Sequence, residues 1–246
     1  MDRKYWEGIA SNYNEEIFDV LRNDRSGVIV SSIEQLASKK KSVIDIGCAV
    51  GKWIPLLAAN FKQVIAADIS AFNLDLAKNK CKDFKNVDYV RMDMSADTLT
   101  VIPCEVAVCI NAILTGSLKK RINFFRSLSV CLVPGGSLVL VVPSLESSMY
   151  TSIIRDRWKV DKENGSNSPK TASSKLKNFK QGNVEIDGVP TKHYLEAELR
   201  LLLSHEGFKV NKIEKVEYSW KTEFVKPPRW LREPYPWDWL VIAKKM

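Results

Sequence analysis

A carboxylate and two glycines lie close together in the segment VIDIGCAVGKW, which runs from Val43 to Trp53. Asp45 lies near the end of an apolar run, and Gly47 and Gly51 follow it. A glycine turn between a strand and a helix exposes backbone N–H groups at the positive end of the helix dipole, which suits an anionic ligand group. A buried carboxylate is costly unless it meets hydrogen-bond donors or a positive charge. The segment therefore predicts a ligand with both an anionic and a cationic group.

Polar residues follow the next apolar runs at equivalent places. Asp68 ends the second run, and an acid about 20 residues beyond a glycine turn is where a nucleotide ribose is held. Asp93 follows the third run in RMDM, and Asn111 follows the fourth in CINAIL. Because the carboxyl ends of parallel strands meet at one edge of a sheet, we expect these four polar or small groups to surround one ligand.

The elements that would position these residues alternate along the chain. We predict helices at 28–40, 54–61, 71–81 and 118–132, and strands at 42–46, 63–67, 87–91, 105–110 and 137–142. Apolar strands separated by helices predict a parallel sheet that is covered on both faces. The pattern then changes to a polar loop at 164–183, a hairpin at 182–194, a helix at 195–205 and strands at 209–218 and 239–243. The Pro- and Trp-rich segment before the last strand is predicted to be irregular.

The length and composition are those of a globular protein. The chain has 246 residues, of which 45% are hydrophobic, so one large domain is expected. No apolar run is long enough to span a membrane, and the N-terminus lacks the apolar region of a secretory signal, which predicts a cytoplasmic protein. The five cysteines include no C-x-x-C pair, which favours free buried thiols over disulfides or a metal site.

The formal charge of +8 lies in two basic segments, residues 155–192 and 209–246. Such a surplus would suit an anionic small molecule or RNA. It would equally suit a solvated surface that keeps the protein soluble. No arginine-rich run accompanies the charge, which favours the solvated surface and leaves RNA as an alternative partner.

The motifs VIDIGCAVGKW, AADIS, RMDM, CINAIL and LVPGGSLVLVVPS resemble, in this order, those of class I S-adenosylmethionine-dependent methyltransferases. They are most similar to the small-molecule group called types 11 and 12. The resemblance covers about residues 5–145 and recurs in TKHYLEAELRLLLSHEGFKV. It implies an α/β, Rossmann-like fold with a seven-stranded, mostly parallel sheet, helices on both faces and an antiparallel last strand. It also implies a single methyltransferase domain over 1–246, with an N-terminal helical lid at 1–25 and a substrate-cap insertion at 145–192.

The resemblance also assigns a cofactor site for S-adenosylmethionine. The glycine turn would hold its amino-acid end, Asp68 its ribose hydroxyls, and the residues after the second and third strands its adenine. The full set is Tyr13, Asp45, Gly47, Cys48, Ala49, Gly51, Asp68, Ile69, Ser70, Asp93, Met94, Asn111 and Ala112. Ala49 departs from the pattern, because similar proteins commonly have glycine there. We expect binding to survive with a shifted turn.

Methyl transfer from a sulfonium is a direct displacement that depends mainly on alignment, and it needs a general base only when the acceptor is protonated. His193 is the candidate base, although it could equally be a structural residue at a helix start. Tyr5 and Tyr150 could form an aromatic wall, and Arg155 and Arg157 could meet an anionic acceptor. The expected acceptor is a small molecule methylated on O or N.

Three other functions are less consistent with the sequence than methyl transfer to a small molecule. A nicotinamide dehydrogenase needs G-x-G-x-x-G, which residues 47–52 do not supply. RNA methylation remains the runner-up. The segment NAIL differs from the N/D-P-P-aromatic motif of enzymes that methylate adenine. Enzymes that methylate cytosine at C5 use a cysteine in a Pro-Cys pair on a loop, whereas Pro103-Cys104 precedes the fourth strand. A non-catalytic binding module also remains, because a fold does not guarantee an activity. The Trp-rich tail could pack against the sheet or form a homodimer surface.

Overall fold

A computed structural model describes residues 6–8, 18–160, 180–186 and 188–246. Its strands are β1 (Ser42–Ile46), β2 (Gln63–Asp68), β3 (Val87–Arg91), β4 (Cys104–Ile110), β5 (Leu132–Pro143), β6 (Asn183–Ile186), β7 (Val189–Lys192), β8 (Phe208–Glu217) and β9 (Trp237–Lys245). Its longer helices and helical turns are α1 (Val20–Asn23), α2 (Val28–Leu36), α3 (Ile54–Asn60), α4 (Ala71–Lys80), α5 (Leu118–Val130), α6 (Leu145–Trp158) and α7 (Glu196–His205). Residues 6–8 are also helical.

Seven strands form one sheet in the order β3-β2-β1-β4-β5-β9-β8. The pairs among β1 to β5 are parallel, whereas β9 runs antiparallel to both β5 and β8. The strand order reverses between β1 and β4, which is where open α/β sheets bind their ligands. This topology confirms the predicted Rossmann-like fold with an antiparallel last strand. The strands β6 and β7 form a separate hairpin, as the sequence predicts.

Apolar residues cover both faces of the central strands. In β1, Val43 belongs to an apolar cluster that includes residues of α2 and α3, whereas Ile44 and Ile46 belong to a cluster that includes residues of α5 and α7. Alternate residues of a strand point to opposite faces, so helices cover the sheet on both sides. This burial fixes the strand register and therefore the positions at which the strands end.

Several helix boundaries follow from local sequence. Ser70 accepts a hydrogen bond from the backbone N–H of Asn73 at 3.2 Å, which caps α4 as predicted. Ser144 caps α6 in the same way, accepting from the N–H of Ser147 at 3.0 Å. Gly207 follows α7 with a left-handed φ of 80°, which suits glycine at a helix end.

Two strands, β5 and β9, differ from their predicted ranges by two or more residues at one end at least. The segment Pro134-Gly135-Gly136 was expected to separate a helix from a strand, but it lies inside β5. Leu132 already pairs with Cys104, and the register shifts before the next pair. The left-handed φ of 77° at Gly135 accommodates this irregularity. The strand β9 begins at Trp237, two residues before its predicted start, because Trp237 pairs with Glu217 of β8 and Asp238 already pairs with Pro143 of β5.

Most of the Trp-rich tail packs into the protein. Trp220, Trp237 and Trp239 are buried, whereas Trp230 is exposed and lies with its ring centroid 5.4 Å from that of Trp158. Burial of three of the four rings agrees with packing against the sheet. No helix in the described ranges is long and apolar enough to cross a membrane.

A buried ion pair attaches the β6–β7 hairpin to α7. The Lys192 side chain is only 2% exposed, and its Nζ lies 2.7 and 2.8 Å from the two carboxylate oxygens of Glu198. The same Nζ donates to the carbonyl of Gln181 at 2.9 Å. Burial lowers the pKa of Lys192, and the Glu198 carboxylate opposes that change. The pair therefore fixes the chain immediately before His193.

Replacing Glu198 by glutamine should destabilise the protein, because the buried Lys192 ammonium would lose its counter-charge. We expect Glu198→Gln to lower the free energy of unfolding by about 2 kcal/mol, measured by urea denaturation. The matched control is Glu196→Gln in the same helix, which breaks an exposed pair with Arg200 and should cost less than about 0.5 kcal/mol. Equal losses in the two variants would contradict a structural role for the buried pair.

Candidate active site

The glycine turn after β1 has three residues in the left-handed region. The φ angles are 76° at Gly47, 47° at Ala49 and 82° at Gly51. The N–H groups of Gly47 and Cys48 donate to the carbonyl of Ala67 at 2.8 and 3.0 Å, which attaches the turn to β2. A Cβ added to Gly47 would lie 2.6 Å from the Cβ of Ala112, so the site requires glycine there.

Ala49 keeps a glycine-like conformation with the help of Asp68. Its backbone N–H donates to Asp68 Oδ2 at 2.9 Å. A left-handed φ costs an alanine about 1–2 kcal/mol, and a hydrogen bond to a buried carboxylate contributes about 1.5–3 kcal/mol. The hydrogen bond is thus large enough to hold the turn, and Ala49 stays in the wall of the cleft that the turn borders.

Asp68 is buried at the end of β2 and lines the same cleft. Its Oδ1 accepts from the N–H of Ser70 at 2.8 Å, and its Oδ2 accepts from Ala49. Burial raises the pKa of Asp68, while these hydrogen bonds lower it. Each carboxylate oxygen has two lone pairs, so both can accept a further hydrogen bond from ligand hydroxyls.

Asp45 lies beneath the turn, within β1. Burial, followed by the charge of Asp68, raises the pKa of Asp45 to about 7. Its Oδ2 is buried and has no hydrogen-bond partner within the described part of the chain. Such an oxygen would be stabilised by a positive group, which is the cationic half of the ligand that the sequence predicts.

Eight of the predicted cofactor residues line the cleft: Gly47, Ala49, Asp68, Ile69, Asp93, Met94, Asn111 and Ala112. Asp45, Gly51 and Ser70 are buried close to the turn rather than in the described cleft wall, and Cys48 lines the adjoining cavity. Tyr13 lies outside the described residues. The prediction missed several residues of the cleft wall: Asn73, Met92, Ser95, Thr115, Lys120 and Phe124. Met92 lies within the motif RMDM, whereas the other five residues lie outside the quoted motifs and no spacing distinguishes them.

A second cavity adjoins the cleft. Its volume is about 550 Å³, and it shares walls with the cleft at Trp6, Gly47, Ala49, Ile110 and Asn111. The other walls come from residues 18–21, the first turns of α6, the hairpin and the start of β9. A cavity of this size suits a small molecule. Asn111 therefore lies where a ligand in the cleft and a ligand in the cavity would meet.

His193 lines this second cavity and is 8% exposed. Its Nδ1 lies 3.1 Å from the carbonyl oxygen of Thr191. A carbonyl only accepts, so Nδ1 carries the proton and Nε2 keeps its lone pair. Burial lowers the pKa of His193, which keeps the ring neutral near pH 7.

The other predicted acceptor residues are placed differently. Arg155 lines the cavity, and its guanidinium donates to the carbonyl of Glu223 at 3.4 Å. Tyr150 packs between Trp220 and Trp237, with centroid distances of 5.7 and 6.3 Å. The guanidinium of Arg157 lies 5.8 Å from the centroid of the adjacent Trp158 ring. In the described residues neither Tyr150 nor Arg157 is part of the cavity wall, and Tyr5 lies outside those residues.

Asp238 is a site residue that sequence reasoning missed. It lines the second cavity, and its Oδ2 accepts from Tyr218 Oη at 2.8 Å and from Asn111 Nδ2 at 3.0 Å. Burial raises its pKa, and the hydrogen bonds oppose that rise. The alternation in WDWLV indicates only that a strand begins there, and it does not indicate that Asp238 contacts Asn111. Within the described ranges, no group of three or more His, Cys, Asp or Glu residues could hold a metal ion.

Replacing Gly47 by alanine tests the close packing of the turn. Gly47→Ala adds a left-handed φ penalty and a contact with Ala112 that overpacks the site. Gly207→Ala is the matched control, because φ is 80° there and nothing lies within 4 Å of the added Cβ. By urea denaturation we expect Gly47→Ala to lose about 2 kcal/mol more than the control. Similar losses would contradict the close approach.

Replacing Asp45 by asparagine should stabilise the ligand-free protein in a pH-dependent way. Because the folded-state pKa is raised, the wild-type protein loses stability as pH rises from about 4 through 7. Asp45→Asn removes this loss. The free energy of unfolding of the variant should therefore exceed that of wild type by about 2 kcal/mol more at pH 8 than at pH 5. Asp88→Asn, at an exposed acid on β3, is the matched control for the loss of one carboxylate. A constant difference for Asp45→Asn would contradict the raised pKa.

A comparison with protein families finds one match, which covers most of the chain. The family model described as "Methyltransferase domain" matches residues 21–212, which include the turn, the hairpin and every described residue of the cleft wall except Trp6. The comparison with curated proteins gives no significant match.

Solved structures of methyltransferases have the same fold. A methyltransferase from Anabaena variabilis is 14% identical with a TM-score of 0.65, and the alignment covers 99% of this chain and 93% of that one. The N-methyltransferase NodS from Bradyrhizobium japonicum, solved with S-adenosylhomocysteine, is 13% identical with a TM-score of 0.63 and coverages of 99% and 97%. A methyltransferase described as putative, from Listeria monocytogenes, is 20% identical with a TM-score of 0.61 and coverages of 88% and 95%. These likenesses establish the fold, and together with the family match they confirm the predicted class: the chain belongs to the methyltransferase domain family.

Proposed function

We propose that this methyltransferase transfers the methyl group of S-adenosylmethionine to an O or N atom of a small molecule by direct displacement. The observation that carries the proposal is the junction at Asn111, where the cleft beside the glycine turn opens into the second cavity. Two ligands in these spaces would meet at one point. Direct displacement requires that arrangement, because the attacking atom must lie in line with the bond that breaks.

The residues of the cleft fit the cofactor. Gly47 keeps open a space that a Cβ would occupy, Asp68 offers lone pairs for ribose hydroxyls, and Asp45 has a buried oxygen without a partner in the described chain. An acid at the end of the second strand and a glycine turn after the first are the features that bind adenosine ligands at this switch point. When bound, the cofactor supplies an electrophilic methyl group on a positively charged sulfur.

The chain's own contribution is then alignment and exclusion of water. The turn and Asp68 would fix one ligand, and the cavity walls would fix the other. His193 is the proposed general base, because its neutral ring keeps the Nε2 lone pair available near pH 7. A base at this position is required only if the acceptor atom must lose a proton before or during attack.

The second cavity supports the proposed domain organisation. Trp6 and residues 18–21 form walls within the proposed lid at 1–25, and the start of α6 and the hairpin form walls within the proposed cap at 145–192. Arg155 supplies a cationic group for an anionic part of the acceptor. All five cysteines are free and buried, which fits the proposed cytoplasmic location, where thiols stay reduced.

Binding of S-adenosylhomocysteine measured by calorimetry tests the proposed cofactor site. Wild type should bind it, and Asp68→Ala should weaken binding by at least about 100-fold, because it removes hydrogen bonds to the ligand and to Ala49. Asp88→Ala, which removes an exposed acid on β3, should leave the affinity within about twofold. Failure of folded wild type to bind would overturn the proposed function.

A further inference from the structure

The buried carboxylate of Asp238 fixes the side chain of Asn111, which lies between the two proposed ligand sites. Asp238 Oδ2 lies 3.0 Å from Asn111 Nδ2, although the two residues are 127 positions apart in sequence. A carboxylate accepts hydrogen bonds and cannot donate them, so the amide nitrogen of Asn111 must face Asp238. The amide oxygen must then point the other way. Asp238 therefore determines which end of the Asn111 amide is available to a ligand.

The amide oxygen of Asn111 has no hydrogen-bond partner in the described part of the chain, although it is buried. Asn111 also has a left-handed φ of 49°, a conformation that few residues other than glycine adopt and that asparagine adopts more often than most. Strained residues with unpartnered polar atoms are concentrated at functional sites. Both features belong to Asn111, which lines the cleft and the cavity and contacts Asp238.

Asp238 receives its hydrogen bonds from neutral groups. Tyr218 Oη donates at 2.8 Å and Asn111 Nδ2 at 3.0 Å, and the Ser144 backbone also contributes. None of these groups carries a positive charge. A second carboxyl, that of Glu223, lines the same cavity and is balanced in part by Arg155. The Asp238 end of the cavity therefore favours a ligand with a positive charge or a strong hydrogen-bond donor.

We propose that the acceptor of this methyltransferase is an amine, and that Asp238 is the positioning residue that turns the Asn111 carbonyl oxygen toward the acceptor nitrogen. The inference rests on the proposed function and narrows it from O or N to N. An acceptor that binds as an ammonium first gives a proton to Nε2 of His193, the proposed general base. The freed nitrogen lone pair forms the N–CH3 bond while the S–CH3 bond breaks and its electrons return to sulfur. The positive charge thus moves from sulfur to nitrogen, and the ammonium product remains close to the Asp238 carboxylate.

A ligand that carries an amine at the transfer point tests this inference. Sinefungin has a C–NH3⁺ group in place of the S–CH3 group of S-adenosylmethionine, whereas S-adenosylhomocysteine has only the neutral sulfur. We expect wild type to bind sinefungin at least about tenfold more tightly than S-adenosylhomocysteine, as measured by calorimetry. In Asp238→Asn, this preference should fall by at least about fivefold, while the affinity for S-adenosylhomocysteine should change by less than about twofold.

A second variant keeps the test decisive if Asp238→Asn folds poorly. Asn111→Gly removes the amide and tolerates the left-handed φ, so it should lose the same preference. Asp156→Asn, at an exposed acid on α6, is the charge control and should keep the wild-type preference. An unchanged preference in folded Asp238→Asn and Asn111→Gly overturns the amine inference alone. Absence of S-adenosylhomocysteine binding to wild type overturns it together with the proposed function.

Discussion

The hydrogen bond from the Ala49 N–H to Asp68 joins the two strands on which the rest of the site depends. It holds the turn after β1 in a left-handed conformation that alanine adopts only at a cost, and it uses a carboxylate that also faces the cleft. One side chain therefore supports the backbone and contacts the ligand space. The turn also packs against Ala112 after β4, so the ends of β1, β2 and β4 are fixed relative to each other.

This arrangement concentrates negative charge where solvent is excluded. Asp45 and Asp68 are both buried, and the charge of Asp68 adds to the burial that raises the pKa of Asp45. An unbalanced pair of this kind destabilises the ligand-free protein, because desolvation and like charge both oppose ionisation. A ligand that carries a positive group relieves both effects. The same residues that lower stability without ligand are thus those that favour a cationic cofactor.

The sequence was sufficient for the features that arise locally. The strands β1 to β4 and the residues that end them are read from short apolar runs, and their edge positions follow from parallel pairing. Asp238 could not be found in this way. Its place depends on β9 inserting between β5 and β8, which brings it beside Pro143 and, through Asn111, to the end of β4. Non-local pairing of this kind has no signature in the spacing of residues within one segment.

The two halves of the site consequently come from different parts of the chain. The cleft is built mainly from β1 to β4, whereas the cavity takes much of its wall from α6, the hairpin and β9. Asn111 links them, because its backbone ends β4 and its side chain contacts β9. Substitutions in the later elements can therefore change which acceptor fits while the turn and Asp68 keep their geometry. The contact of Asn111 with Asp238 is therefore the physical connection between the end of β4, which borders the cleft, and the acceptor cavity.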